Sequence, residues 1–307
     1  MARALRIALC TALAACSALG PIGGVTADPR IWDVRAARWA SEPELVGALA
    51  NVRYRLLGEL HDNPEHHAIR ARLIRELAAR GPHPAIVMEQ FDLDRDEALR
   101  AAQASSVDAE KLADAGRLDR VGWLWPMHKP ILEAAIAEHL PVRAANLPRS
   151  FFRRDVHARS ENDTSATWYP RLHAARWTES QAAELHDDIL ASHCGKVPES
   201  AVPAIVLAQR VRDAAMAQAL VDAATASGAV LIAGDGHVRA DLGVPVYLHT
   251  QGMADADARS LSVGFVEVSA EEEKAGDFPR AVVADHPGFD YIVFTPPAAR
   301  EDPCAGM

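Results

Sequence analysis

The chain has 307 residues, 49% hydrophobic and 24% charged, a composition that supports one large folded α/β domain or two small ones. Its formal net charge of -10 argues against a broad electrostatic grip on nucleic acid or anionic lipid, so an anionic ligand needs a local basic patch.

Arg3 and Arg6 precede an Ala-rich apolar run from Ile7 to Leu19 that is too short to span a bilayer. This is the pattern of an export signal over residues 1 to 27. Its removal lowers the 32 basic residues to 30 against 42 acidic, a net charge of -12. Two cleavage readings stand side by side. Leu13-Ala14-Ala15-Cys16 has the form of a lipobox, which makes Cys16 a lipidated first residue and the membrane contact a lipid anchor only. Val25-Thr26-Ala27 suits an ordinary signal peptidase and a soluble periplasmic protein. Cys10 in the same run shows that such a cysteine can serve as a small hydrophobe. Only Cys194 and Cys304 remain beyond this segment. An oxidising compartment permits a bond between them that would tie the tail to the body; two unpaired thiols are the alternative.

Ser41-Glu-Pro-Glu44 before Leu45, Val46 and Leu49 predicts a capped helix start. A strand over Tyr54–Leu57 follows, then a turn at Gly58, and Ile69, Leu73, Ile74 and Leu77 give the stripe of a helix ending near Gly81-Pro82. Ala85–Met88 predicts a second strand, hence a right-handed parallel βαβ unit. Polar-faced helices are expected over 94–120, a helix over 131–139, a third strand over 141–145 and a mixed loop over 150–177. Long helices are expected over 178–192 and 200–226. Strands are expected at Val230–Ala233, Val244–Leu248, Leu261–Val268 and Tyr291–Phe294. The expected fold is a doubly wound, mainly parallel α/β sheet with helices on both faces and a helical insertion, a single domain over 28–307.

Two stretches share one grammar. Gly58-Glu-Leu-His61 and Gly234-Asp-Gly-His237 each present Gly-x-x-His directly after an apolar strand. In an open parallel sheet, ligands bind beyond the carboxyl ends of the strands. There Glu59, His61, Glu89, Asn146, Asp235 and His237 would meet. Glu59, His61, Glu89 and His237 form a candidate set for a divalent metal, with Glu89 alternatively a general base on a bound water. The structural alternative is a buried hydrogen-bond network satisfying loop backbone. His66 and His67, beside Asp62 and Glu65, could be further ligands or part of a helix start.

Trp123, Trp125 and Met127 precede His128 and could line a flat apolar pocket with a basic ligand at its rim. Haem iron is held in proteins by His, Tyr, Met or Cys. Tyr54, Tyr247 and Tyr291 fall in predicted strands, leaving Tyr169 as the loop tyrosine, while His193 lies at a helix end. Arg212 could lie on a solvated face, hold a propionate or face a strand-end carboxylate.

The set Gly-Glu-Leu-His-Asp-Asn-Pro-Glu-His-His (58–67), Met-Glu-Gln-Phe-Asp (88–92), Asn-Leu-Pro-Arg (146–149), His-Cys (193–194), Ala-Gln-Arg-Val-Arg-Asp-Ala-Ala-Met-Ala (208–217), Gly-Asp-Gly-His-Val-Arg (234–239) and Arg-Glu-Asp-Pro-Cys (300–304) resembles the ChaN-like family of haem-binding lipoproteins in the Tiki/TraB superfamily. The resemblance runs from about residue 50 to 304. It implies haem binding at the cell envelope in iron uptake, with haem at a homodimer interface, tyrosine and histidine around the iron, and an outer-membrane receptor as partner. The wider superfamily includes metal-dependent proteases with paired Gly-x-x-His motifs and a glutamate, positions that fall here on His61, Glu89 and His237. Where the family commonly has a tyrosine after the tryptophan-rich stretch, this chain has His128, so the resemblance leaves imidazole or another residue as axial ligand.

Overall fold

The strand Tyr54–Leu57 (β3), apolar but for Arg55, is buried along its whole length near the middle of an eight-stranded sheet. The structure is a computed structural model describing residues 29–105, 107–152, 166–253, 255–286, 288–301 and 304, so Cys16 and the export-signal segment lie outside the described residues. The other strands are β1 (Arg30–Asp33), β2 (Arg38–Ala40), β4 (Ala85–Asp92), β5 (Val142–Asn146), β6 (Ala229–Ile232), β7 (Ser260–Glu267) and β8 (Tyr291–Thr295). Their order is β2-β1-β8-β7-β3-β6-β4-β5. The six from β8 to β5 are parallel, while β1 and β2 extend the β8 edge in antiparallel fashion.

A parallel sheet must be covered on both faces. One face packs the helices Glu42–Ala50, Pro64–Ala79, Asp96–Ala104, Ala109–Ala115 and Lys129–Ala137, with Leu45, Ile74, Leu99, Leu112 and Leu132 in one buried cluster. The other packs Tyr169–Ala174, Val202–Ala223 and Val244–Leu248. Ala214, Ala215 and Ala217 let the long 202–223 helix approach the sheet closely. No helix among the described residues is long and apolar enough to cross a membrane.

Local chemistry explains the elements that position the site. Ser41 and Glu44 form a reciprocal capping box at the 42–50 helix. Asn63 caps the 64–79 helix by accepting from the amides of Glu65 and His66, and Pro64 occupies the first turn, where its missing N–H costs nothing. The doubly wound fold expected from the periodicity is the observed one.

Two local expectations are corrected, and one element was missed. Val244–Leu248 is a helix, so Tyr247 is helical rather than in a strand. Four of its five residues are buried, which removes the amphipathic signature, and Pro245 in the first turn favours a helix start. β4 runs on to Asp92, so Glu89 lies inside a strand instead of after one. The antiparallel β1–β2 pair, at four and three residues, was too short to show a period.

Candidate functional site

β3 and β6 are neighbours in register, Leu57 opposite Ile232, so the two Gly-x-x-His turns leave the sheet side by side. Each glycine makes room for the other turn. A Cβ on Gly58 would run into the Asp235 carboxylate, and one on Gly234 would stand 3.0 Å from His61 Cε1. The Asp235 amide donates to the Glu59 carbonyl at 3.0 Å, and the Asp235 carboxylate accepts from the Phe265 amide at 3.2 Å. Burial pushes that carboxyl up to about 7.

The second motif ends in a closed ion network. His237 is 8% exposed, its Nδ1 is 2.6 Å from Asp213 Oδ1 and its Nε2 is 3.3 Å from Glu89 Oε1. Glu89 Oε2 also accepts from the Gly234 amide at 2.9 Å. Burial works against the charged imidazolium, but the Glu89 and Asp213 carboxylates outweigh it and push His237 up to about 10. Burial likewise opposes ionised Glu89, yet His237 holds it down to about 2. Asp213 is pushed up to about 6 by its burial, against the pull of His237. Asp213 was not singled out in the sequence; it is fully buried beside Ala214, Ala215 and Ala217, and that run of small residues was the signal for a buried face.

The first motif is built around Glu59, 2% exposed. Its Oε1 lies 2.8 Å from His61 Nδ1, and its Oε2 contacts the Arg70 guanidinium and lies 3.2 Å from His67 Nδ1. His67 Nε2 donates to the His61 carbonyl at 3.0 Å, so Nδ1 is the lone pair that accepts from Arg70 Nη2 at 2.8 Å. His66 accepts from the Leu60 amide at Nδ1, 3.0 Å, which puts its proton on Nε2, 2.8 Å from Thr295 Oγ1. Burial pushes both imidazoles down, His66 to about 3 and His67 to about 4, so both are neutral braces.

The sequence-expected set Glu59, His61, Glu89 and His237 does not converge with metal-ligand spacing among the described residues, because Glu89 and His237 are engaged with each other and with Asp213. The donor atoms that do lie within 4.8 Å of one another belong to Glu59, His67 and His128. Arg70 reaches two of these three residues, so a cation of the chain itself already stands there. Arg70 was not singled out in the sequence, although it lies one turn beyond His67.

The tryptophan stretch is a tight, hydrogen-bonded loop, with the Trp123 amide donating to Asp119 O at 2.9 Å and the Trp125 amide to Arg120 O at 2.9 Å. His128 lies beneath this loop instead of at its rim. It is 0% exposed, neither ring nitrogen has a hydrogen-bond partner among the described residues, and burial holds it well below the usual imidazole range. Its ring packs edge-on against His67 (4.4 Å) and Trp123 (5.8 Å). Above it the loop exposes Val121 at 85% and Leu124 at 43%, and Leu60 of the first motif is 37% exposed. Trp123 ties loop to motif by an edge contact with His61 at 5.0 Å. Arg120 lies over the Trp125 ring.

The remaining candidates lie apart from this face. Tyr169 opens a helix and packs against His173 at 4.0 Å, and His193 Nδ1 donates to Ile189 O at 2.7 Å. Cys194 and Cys304 form a disulfide. Arg212 lies over the Phe152 ring, with its charge felt by Glu89 and Asp92, so it faces strand-end carboxylates and not solvent alone.

Among solved structures, ChaN of Campylobacter jejuni, described in cofacial haem binding, superposes with a TM-score of 0.67 at 20% identity, covering 86% of this chain and 96% of that one, which establishes a shared fold. An erythromycin esterase EreC variant in its open conformation (TM-score 0.45, 15% identity, 85% and 95% covered) is more remote. So is a Bacillus cereus protein (0.44, 13%, 74% and 70%). No curated protein matches the sequence. The profile of the family described as haem-binding uptake, Tiki superfamily, ChaN matches residues 45–248, more than half of the chain, and the protein belongs to that family.

Proposed function

We propose that this protein is a single-domain haem carrier of the cell envelope, exported by its amino-terminal segment and either anchored through a lipid on Cys16 or released into the periplasm. In this reading it works in haem and iron uptake as a homodimer and passes haem to or from an outer-membrane receptor. The observation that carries the reading is the exposure of Leu60 on the first motif and of Val121 and Leu124 on the tryptophan loop, two segments joined by the Trp123–His61 ring contact. Exposed apolar side chains on neighbouring segments suit an apolar ligand. A planar macrocycle is such a ligand, and a second copy could cover its other side. Arg149, whose side chain is 75% exposed and pairs with Asp119 at 3.0 Å, offers a cation near this face for a carboxylate-bearing ligand. The family membership supports the choice of haem.

Hydrolysis with Glu89 as the base finds less support in the magnitudes. A general base works best with a pKa near the operating pH. Glu89, held down to about 2, has little affinity for a proton, and His237, pushed up to about 10, is protonated and has no lone pair to offer. Ferric haem titrated into the full chain, followed by Soret absorbance and by size, tests the proposal. Saturable uptake with a shifted band and a larger species supports it; only broad, unsaturable absorbance overturns it.

A further inference from the structure

We infer that His61 is the axial ligand of the haem iron, binding through Nε2 while Glu59 holds the opposite ring nitrogen. This rests on the haem-carrier reading above.

Each part of the assignment stands on geometry. The His61 side chain is 47% exposed, and its hydrogen bond among the described residues is made at Nδ1, 2.8 Å from Glu59 Oε1. A buried carboxylate next to Nδ1 fixes the proton there and leaves the Nε2 lone pair for a metal, and such a partner also raises the basicity of the ligating nitrogen. Glu59 in turn is held by Arg70 and Gln90, so it cannot swing away. The ring is seated between Trp123, edge-on at 5.0 Å, and Gly234, whose missing Cβ keeps Nε2 clear: a methyl group there would lie 3.3 Å from it.

The surroundings suit the macrocycle. Exposed Leu60 directly precedes His61 in the chain, and exposed Leu124 directly follows Trp123 with φ 49, a left-handed conformation that costs a leucine about 1 kcal/mol. A leucine held outward in an unfavourable backbone conformation is spent twice, on strain and on exposure, unless something covers it.

Among the described residues, the other imidazoles of this region are either bonded at both nitrogens or enclosed. His66 and His67 are fully buried with both ring nitrogens bonded, His237 has a carboxylate on each nitrogen, and His128 is enclosed beneath the loop. Tyr169 and His193 pack elsewhere, against His173 and Ile189.

The test is a ferric haem titration read by Soret absorbance and electron paramagnetic resonance, for the wild type, His61→Ala, Tyr169→Phe and His193→Ala. His61→Ala should bind about tenfold or more weakly and lose the imidazole signature, and added imidazole should restore it. The other two should match the wild type. A His61→Ala protein with unchanged affinity and spectrum, or a spectrum altered by Tyr169→Phe or His193→Ala, overturns the assignment and leaves haem carriage standing. A wild type that takes up no haem overturns the carriage reading, and the assignment with it. Glu59→Gln supplies an independent readout, since a weaker partner on Nδ1 should raise the reduction potential of the bound haem. An unchanged potential counts against the role given to Glu59.

Discussion

His61 and His237 end two turns of the same grammar, side by side on adjacent strands, and they have opposite surroundings. His237 is 8% exposed with a carboxylate at each ring nitrogen, while the His61 side chain is 47% exposed with one carboxylate and one open nitrogen. What differs is the element that arrives over each turn. The 202–223 helix brings Asp213 down onto His237, whereas the 119–128 loop brings the Trp123 indole to His61. The same turn therefore holds a buried ion lock at one strand end and a half-exposed imidazole at the other. A motif fixes where an imidazole stands; the packing above it decides what the imidazole does.

The comparison can be broken by mutation. His237→Ala leaves Glu89 and Asp213 buried without their cation, and breaking a buried network in this way costs about 3–5 kcal/mol, to be read from urea denaturation. The same lock has a pH signature. Because the folded His237 is raised from 6.5 to about 10, its stabilisation is full below 6.5 and is lost as the pH climbs toward 10. The melting temperature of the wild type should thus fall between pH 7 and 10, and a His237→Gln protein should lose that slope. An alkaline slope identical in both would contradict the ion lock.

The two glycines sharpen the contrast at smaller scale. Gly58→Ala meets the buried Asp235 carboxylate and Val238 Cγ2 at 2.9 Å, neither free to move, and should cost about 1–3 kcal/mol in chemical denaturation. Gly234→Ala meets the edge of the half-exposed His61 ring at 3.0 Å, a contact that a shift of a few tenths of an ångström relieves, so its cost should stay below about 1 kcal/mol. The smallest effect on stability belongs to His61→Ala, within about 0.5 kcal/mol, although the same change should weaken haem binding most.

Much of the sheet was legible because fully buried parallel strands read as uninterrupted apolar runs, as at Ala85–Met88 and Ala229–Ile232. The turns were legible through their glycines and through Asn63-Pro64. The site was legible only in part. Composition and spacing bring Glu59, His61, Glu89 and His237 forward, but they cannot show that two of the four neutralise each other through an aspartate from a distant helix. His128 drew attention as a histidine after tryptophans, but which side of the loop it faces is a matter of packing against His67 and Trp123 that no period reveals. Arg70 looked like an ordinary helix residue because its partner, Glu59, lies across the turn and off the helix.

The measurement that reaches the central claim most directly is a ferric haem titration of the wild type beside Leu124→Asp, a change confined to the exposed face. If haem lies on that face, the wild type binds saturably with a shifted Soret band, and the aspartate variant binds about tenfold or more weakly with its fold intact. Equal binding by the two proteins would contradict the claim that the first motif and its apolar loop carry the haem.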